Sequence, residues 1–177
     1  RTLTSEVCRE PKASTCISVK SVKSVDPITF SRMKSFRTSA DSTDPWDLYQ
    51  ASVQDSTAQA RVLEHLFRRI HRRHTPKVLR EDFAGTAQDA MAWISLDPTH
   101  TAIAVELDPD VVQRARARSR ALLRGADRRL SFVESRVEDI RPETIPRADI
   151  VAALNFSIGY LHDRSALVAY LTQVRQS

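Results

Sequence analysis

Val78-Leu79-Arg80-Glu81-Asp82-Phe83-Ala84-Gly85-Thr86-Ala87 decides how the rest of the chain is read. An apolar start runs into acid and then into a turn of small residues, and Ala87 to Ile94 follows with Ala87, Ala90, Met91 and Ile94 at helical spacing. A second apolar run, Ala102-Ile103-Ala104-Val105, again ends in acid at Glu106-Leu107-Asp108. Strand, small-residue turn, helix, strand and acid form the opening of a nucleoside-binding α/β domain.

The pattern continues on both sides. Asp44-Pro45 reads as a helix cap with proline at the first helical position, and Asp55-Ser56 with Gln59 as a second helix start, so two helices are expected before Val78. In the second, Val62, Leu63, Leu66, Phe67 and Ile70 recur at helical spacing. Strands are expected at Val78–Phe83, Thr101–Leu107, Leu130–Val133 and Ile150–Phe156, and helices at Ala87–Ile94 and Asp110–Leu123. Asp163 caps a last helix with Leu167, Tyr170, Leu171 and Val174 inward. Alternation of strands and helices implies an α/β doubly wound parallel sheet. Ligands of such sheets sit beyond the strand carboxyl ends, which gathers Glu81 to Ala87, Glu106 to Asp108, the loop after Val133 and the Asn155 loop around one crevice.

Composition narrows the class. The chain has 177 residues, 41% of them hydrophobic, enough for one ordinary core, and no run approaches the roughly 18 apolar residues of a membrane span. The net charge of +5 is concentrated at one end: residues 1–32 hold six Lys/Arg against three Asp/Glu, and residues 33–177 hold 21 against 19. A nearly neutral body argues against a phosphate-backbone partner. The arginines at 68, 69, 72, 73, 114, 116, 118, 120 and 124 accordingly read as solvated helix surface. Both cysteines, Cys8 and Cys16, lie in the basic end, so the body has no disulfide framework and no cysteine metal cluster, and a cytoplasmic home is expected. Residues 1–43, rich in Ser, Thr and Lys, read as a disordered leader, and 44–177 as the domain. Glu6, Glu10 and Asp26 interrupt a transit-peptide pattern, which favours sequence upstream of a start at Met33.

Each crevice residue has a chemical rationale. Ala84-Gly85-Thr86-Ala87 keeps side chains small where backbone must approach a ligand, ahead of a helix N-terminus with free N–H groups. The two oxygens of Glu106 suit the vicinal hydroxyls of a ribose, with Leu107 against a base. Glu81 either belongs to this site or caps a helix or pairs with Arg80.

In this order the residues resemble the class I S-adenosylmethionine-dependent methyltransferases. Leu48-Tyr49 with Val53-Gln54, Leu79 to Phe83 with Gly85-Thr86-Ala87, Trp93, and Ala152-Ala153-Leu154-Asn155-Phe156-Ser157 are similar to a little-characterised bacterial-type group among them. The resemblance covers roughly residues 44 to 177 and implies a Rossmann-like methyltransferase fold, S-adenosyl-L-methionine as cofactor and methyl transfer to a small-molecule acceptor. It places the family's opening acid on Glu81, its three glycine positions on Phe83, Gly85 and Ala87, its ribose acid on Glu106, and its adenine-side acid at or near Arg136. Arginine accepts no hydrogen bond. Either Glu134, Glu138 or Asp139 substitutes, or the Val137 backbone and apolar contact hold the adenine. The implied cofactor residues are thus Glu81, Phe83, Ala84, Gly85, Ala87, Glu106, Leu107, Asp108, Val137 and Asn155. Asn155 either faces the acceptor or caps the following turn. His162, in the same loop as Tyr160, is a candidate proton acceptor, and Trp46, Tyr49 and Gln54 are candidates for a lid.

The family sheet would need about three more strands after the Asp163 helix, which raises the alternative of a truncated or non-catalytic adenosyl-binding protein. An NAD-dependent oxidoreductase also uses an acid after the second strand, but its Gly-x-Gly-x-x-Gly turn is missing.

Overall fold

In the computed structural model, which describes residues 55–176 together with Leu48 and Ser52, the Asp55 carboxylate accepts the Ala58 N–H at 3.0 Å and starts α1 (Ser56–Ile70). The leader, the lid candidates and most of the helix expected from Asp44 lie outside the described residues. The elements that follow are β1 (Val78–Asp82), α2 (Gln88–Leu96), β2 (Thr101–Glu106), α3 (Pro109–Leu123), β3 (Leu130–Glu134), β4 (Ile150–Ala153) and α4 (Arg164–Gln176). The sheet is parallel throughout in the order β3-β2-β1-β4, so the chain steps outward from β1 through β2 and β3 and returns to the other side of β1.

Several boundaries differ from expectation, and backbone conformation explains them. β1 stops at Asp82 because Phe83 takes φ 57°, and α2 starts one residue late because Ala87 also sits at φ 57°. β4 stops at Ala153 rather than Phe156, since Asn155 and Phe156 hold φ 57° and 62°. Asp108 accepts the Asp110 N–H at 2.9 Å, so α3 begins at Pro109, where the missing N–H costs nothing.

Successive residues of β1 point to opposite faces, and each face has its own core. Leu79, Ala102 and Ala104 pack with Ala90, Met91, Trp93, Ile94 and Ala115. Ile103 and Val105 pack with Val137, Ile140, Leu161 and Tyr170, and Leu167 and Val174 join them. Four residues of the expected apolar stripes are corrected. Leu171 is half exposed, and Val62, Leu66 and Ile70 lie outward on α1, whose buried stripe is instead Ala60 with Leu63. The expected set divides, Leu63 packing on the core and Val62, Leu66 and Ile70 facing away from it, and only contact with the core makes that division.

Candidate functional site

The turn after β1 passes through the left-handed region at alternate residues: Phe83 at φ 57°, Gly85 at 52° and Ala87 at 57°. Two of the three carry side chains, at a cost of about 1–2 kcal/mol each. Packing offsets it. Ala87 is fully buried, and the Phe83 ring lies 6.3 Å from both Tyr170 and Tyr160. A Cβ on Gly85 would meet no atom within 4 Å, so glycine there supplies the backbone angle and keeps the crevice side open.

Glu106 ties this turn to the next junction. Its Oε2 accepts the Gly85 N–H at 2.8 Å, while Oε1 accepts those of Leu107 at 2.9 Å and Asp108 at 3.0 Å. Three of its roughly four acceptor sites are already engaged. A role visible only in three dimensions thus joins the one expected of it: the carboxylate holds the end of β2 against the Gly85 turn.

Glu81 and Asp82, neighbours in sequence, face opposite cores. Glu81 accepts the Ala90 N–H at 2.8 Å and so caps α2; its partner is not Arg80. Burial, and then the charge of Asp89, push its carboxyl well above the ordinary 4.5. Between that value and the raised one, the native state holds a proton that the unfolded chain has released. The Glu81 contribution is therefore fully present below about pH 4.5 and is lost as pH rises through the raised value. Glu81→Gln, which keeps an acceptor for Ala90, is expected to melt several degrees higher than the natural chain at pH 8 and nearly level with it at pH 5. Thermal melts across that range read the difference; identical pH profiles would remove the assignment.

On the other face, Arg80 and Asp82 are sealed from solvent, with Nε 2.9 Å from Oδ1 and Nη2 donating to Oδ2 at 3.0 Å. The Tyr170 hydroxyl donates to the same Oδ2 at 2.8 Å across 88 residues of chain. Burial raises the Asp82 carboxyl against the opposing pull of Arg80, and burial with the Asp82 charge raises the Tyr170 hydroxyl. Sequence reading missed this trio. The available signal was opposite charges two apart in an otherwise apolar parallel strand, where alternation puts them on one buried face.

After β3, Ser135 donates its N–H to the Glu106 carbonyl at 3.0 Å, which brings Ser135, Arg136, Val137 and Glu138 to the crevice wall. Arg136 pairs with Glu138 at 3.0 Å. Although burial works the other way, the backbone N–H of Glu138 and the Arg136 guanidinium hold the Glu138 carboxyl below its usual value. Of the three acids considered for this loop, Glu138 lines the crevice; Glu134 and Asp139 do not.

The assembled crevice has a volume of about 840 Å³, within the range of small-molecule sites. Glu81, Phe83, Ala84, Gly85, Glu106, Leu107, Asp108, Val137 and Asn155 all line it. Ala87 lies beneath it in the core, and His162 is exposed and away from its wall. Asp82 and Thr86, inside the stretch gathered at the crevice, also line it, as do Leu154, Ser157 and Tyr160; Gln88 joins the wall without having been expected there. Its charged lining is five carboxylates and the Arg136 guanidinium. With Arg80 offsetting Asp82, Arg136 offsetting Glu138 and burial holding Glu81 towards its protonated form, Glu106 and Asp108 still leave it negative. Among the described residues no acidic, His or Cys cluster is arranged to hold a metal ion, and no helix is long and apolar enough to cross a membrane.

No protein-family model matches the chain, and no curated protein matches it. Solved structures do. The glycopeptide N-methyltransferase MtfA is 21% identical, with 72% of this chain and 55% of that one aligned at a TM-score of 0.56; MtfA has also been crystallised with S-adenosyl-L-methionine, S-adenosyl-L-homocysteine and sinefungin. An S-adenosylmethionine-dependent methyltransferase from Clostridium acetobutylicum is 18% identical over 72% of this chain and 48% of that one, with a TM-score of 0.55. The plantazolicin methyltransferase BpumL is 10% identical over 73% and 46%, also at 0.55. The chain thus spans about half the length of these three proteins. At such identities the likeness shows the fold alone: the parallel α/β architecture of this chain is shared with these methyltransferases.

Proposed function

We propose that this chain binds S-adenosyl-L-methionine and takes part in methyl transfer to a small-molecule acceptor. The observation that carries this reading is the Glu106 carboxylate at the end of β2, bonded at 2.8 Å to the Gly85 N–H in the wall of a negative crevice. A carboxylate there accepts ribose hydroxyls, exchanging its Gly85 bond for one of them. Leu107, 61% exposed, lies against the adenine face, and the Val137 backbone and Glu138 take the adenine edge in place of the acid that Arg136 displaces. Glu81, Phe83, Ala84, Gly85 and Asp108 shape the remaining wall, with Ala87 holding the turn from below.

Charge decides between nucleoside cofactors. S-adenosyl-L-methionine carries a sulfonium and an ammonium, which a negative crevice attracts, whereas the pyrophosphate of NAD would be repelled. When bound, this cofactor supplies a methyl group open to in-line displacement, so the chain has to position reactants and exclude water. Asn155, at the β4 end of the crevice, is assigned to the acceptor side, and His162 plays no part in this version of the site. A cytoplasmic setting accompanies the reading, since residues 33–177 hold no cysteine.

Calorimetric titration of the chain with S-adenosyl-L-methionine, S-adenosyl-L-homocysteine and NAD tests the proposal. Saturable micromolar binding of the two adenosyl compounds and none of NAD is expected. Binding of NAD alone, or of none of the three by folded protein, would sink it. Because the chain spans half the length of its structural neighbours, turnover is the second half of the proposal and is read by transfer of a labelled methyl group.

A further inference from the structure

The β4 side of the crevice differs chemically from the β2 side. In the order β3-β2-β1-β4 the Glu106 to Glu138 wall and the Leu154 to Tyr160 wall lie on opposite sides of the β1 turn. The first is polar and is assigned above to the cofactor. The second carries no charged group and presents aromatic surface: Phe83 and Tyr160 face each other with ring centroids 6.3 Å apart and 27° between their planes, in a wall shared with Leu154, Asn155 and Ser157. Tyr160 is 74% exposed, so its ring presents open surface at the mouth.

The backbone beside these rings is strained as well. Asn155 and Phe156 hold consecutive left-handed conformations; Asn adopts this region readily, but for Phe156 it costs about 1–2 kcal/mol, and Phe156 is 96% exposed, so burial of its ring offsets nothing. Strain combined with exposed aromatic surface at the rim of a pocket marks a place where a ligand completes the packing. That ligand has aromatic surface, because rings facing one another favour a third ring. It is neutral or cationic, because Glu106 and Asp108 leave the crevice negative, and a cation over Phe83 or Tyr160 gains further attraction.

Resting on the methyl-transfer reading, we propose that the Phe83–Tyr160 wall is the acceptor subsite, that Tyr160 determines its specificity, and that the acceptor class is an alkylamine bearing an aryl group. The amine nitrogen, in its neutral form, gives its lone pair to the new N–C bond while the C–S pair returns to sulfur, and the released proton goes to solvent.

The probes are phenethylamine, cyclohexylethylamine and phenylacetate, titrated calorimetrically into the full chain saturated with S-adenosyl-L-homocysteine. Phenethylamine is expected to saturate, with at least tenfold weaker binding in Tyr160→Ala, whose S-adenosyl-L-homocysteine affinity is measured first so that the amine is titrated into the saturated variant. Phenylacetate and cyclohexylethylamine are each expected to bind at least tenfold more weakly than phenethylamine. Comparable binding of the aliphatic amine overturns the aromatic assignment, and comparable binding of the acid overturns the charge assignment. No saturation by phenethylamine, or indifference to Tyr160→Ala, overturns the subsite while leaving the cofactor reading intact. Failure of S-adenosyl-L-homocysteine itself to bind overturns the cofactor reading, and this inference with it.

Discussion

Glu106→Ala is expected to weaken S-adenosyl-L-homocysteine binding by at least 100-fold while the chain stays folded. The carboxylate would make charge-assisted bonds to the ribose, worth about 1.5–3 kcal/mol apiece, and each 1.4 kcal/mol is tenfold in affinity. It also orders the binding surface, since Gly85, Leu107 and Asp108 all donate to it. Leu107 and Asp108 are exposed, so water replaces their lost bonds and the loss in stability stays near 1 kcal/mol. Glu106→Gln keeps one acceptor oxygen and is expected to lose about tenfold. Calorimetry beside a thermal melt separates binding from folding; an affinity unchanged in Glu106→Ala would remove the central residue of the proposed site.

Arg80→Met is expected to cost about 3–5 kcal/mol of stability, the largest effect of any single change proposed for this chain. It leaves the Asp82 carboxylate sealed in the α4-side core with only the Tyr170 hydroxyl to meet it. For a domain of this size that corresponds to a fall in Tm of about 10–20 °C. Removing the whole network together, as Arg80→Met with Asp82→Leu and Tyr170→Phe, is expected to recover most of the loss, because no charged or polar group then stays unpaired. Urea denaturation of the single and triple variants measures both. A single variant within 1 kcal/mol of the natural chain would mean that Asp82 escapes the penalty by taking up a proton.

The elements of the fold were readable because their signals are local. Apolar runs ending at Glu81 and Glu106, the Asp55 and Asp163 caps, and the helical spacing from Ala87 to Ile94 depend on residues within a few positions of one another. The strand ends were less readable. Phe83 and Phe156 have strand propensity, yet both hold left-handed backbone, Phe83 against two tyrosine rings brought from beyond residue 159. α1 illustrates the same limit, since Val62, Leu63, Leu66 and Ile70 share one helical spacing and only Leu63 of these packs against the core.

Within the site, residue type and spacing were sufficient to collect Glu81, Gly85, Glu106, Asn155 and the loop after Val133 around one crevice, because a parallel alternation of strands and helices brings every strand's carboxyl end to the same edge. What each of them touches was beyond reach. That Glu106 binds the Gly85 turn, that Glu138 rather than Glu134 or Asp139 reaches the wall, and that Asp82 joins Arg80 to Tyr170 depend on through-space distances between segments up to 88 residues apart. Local patterns settle which face a residue takes on its own strand or helix; its partner is settled only when another element arrives on that face, because hydrogen bonds and ion pairs act over about 3 Å of space whatever the separation along the chain.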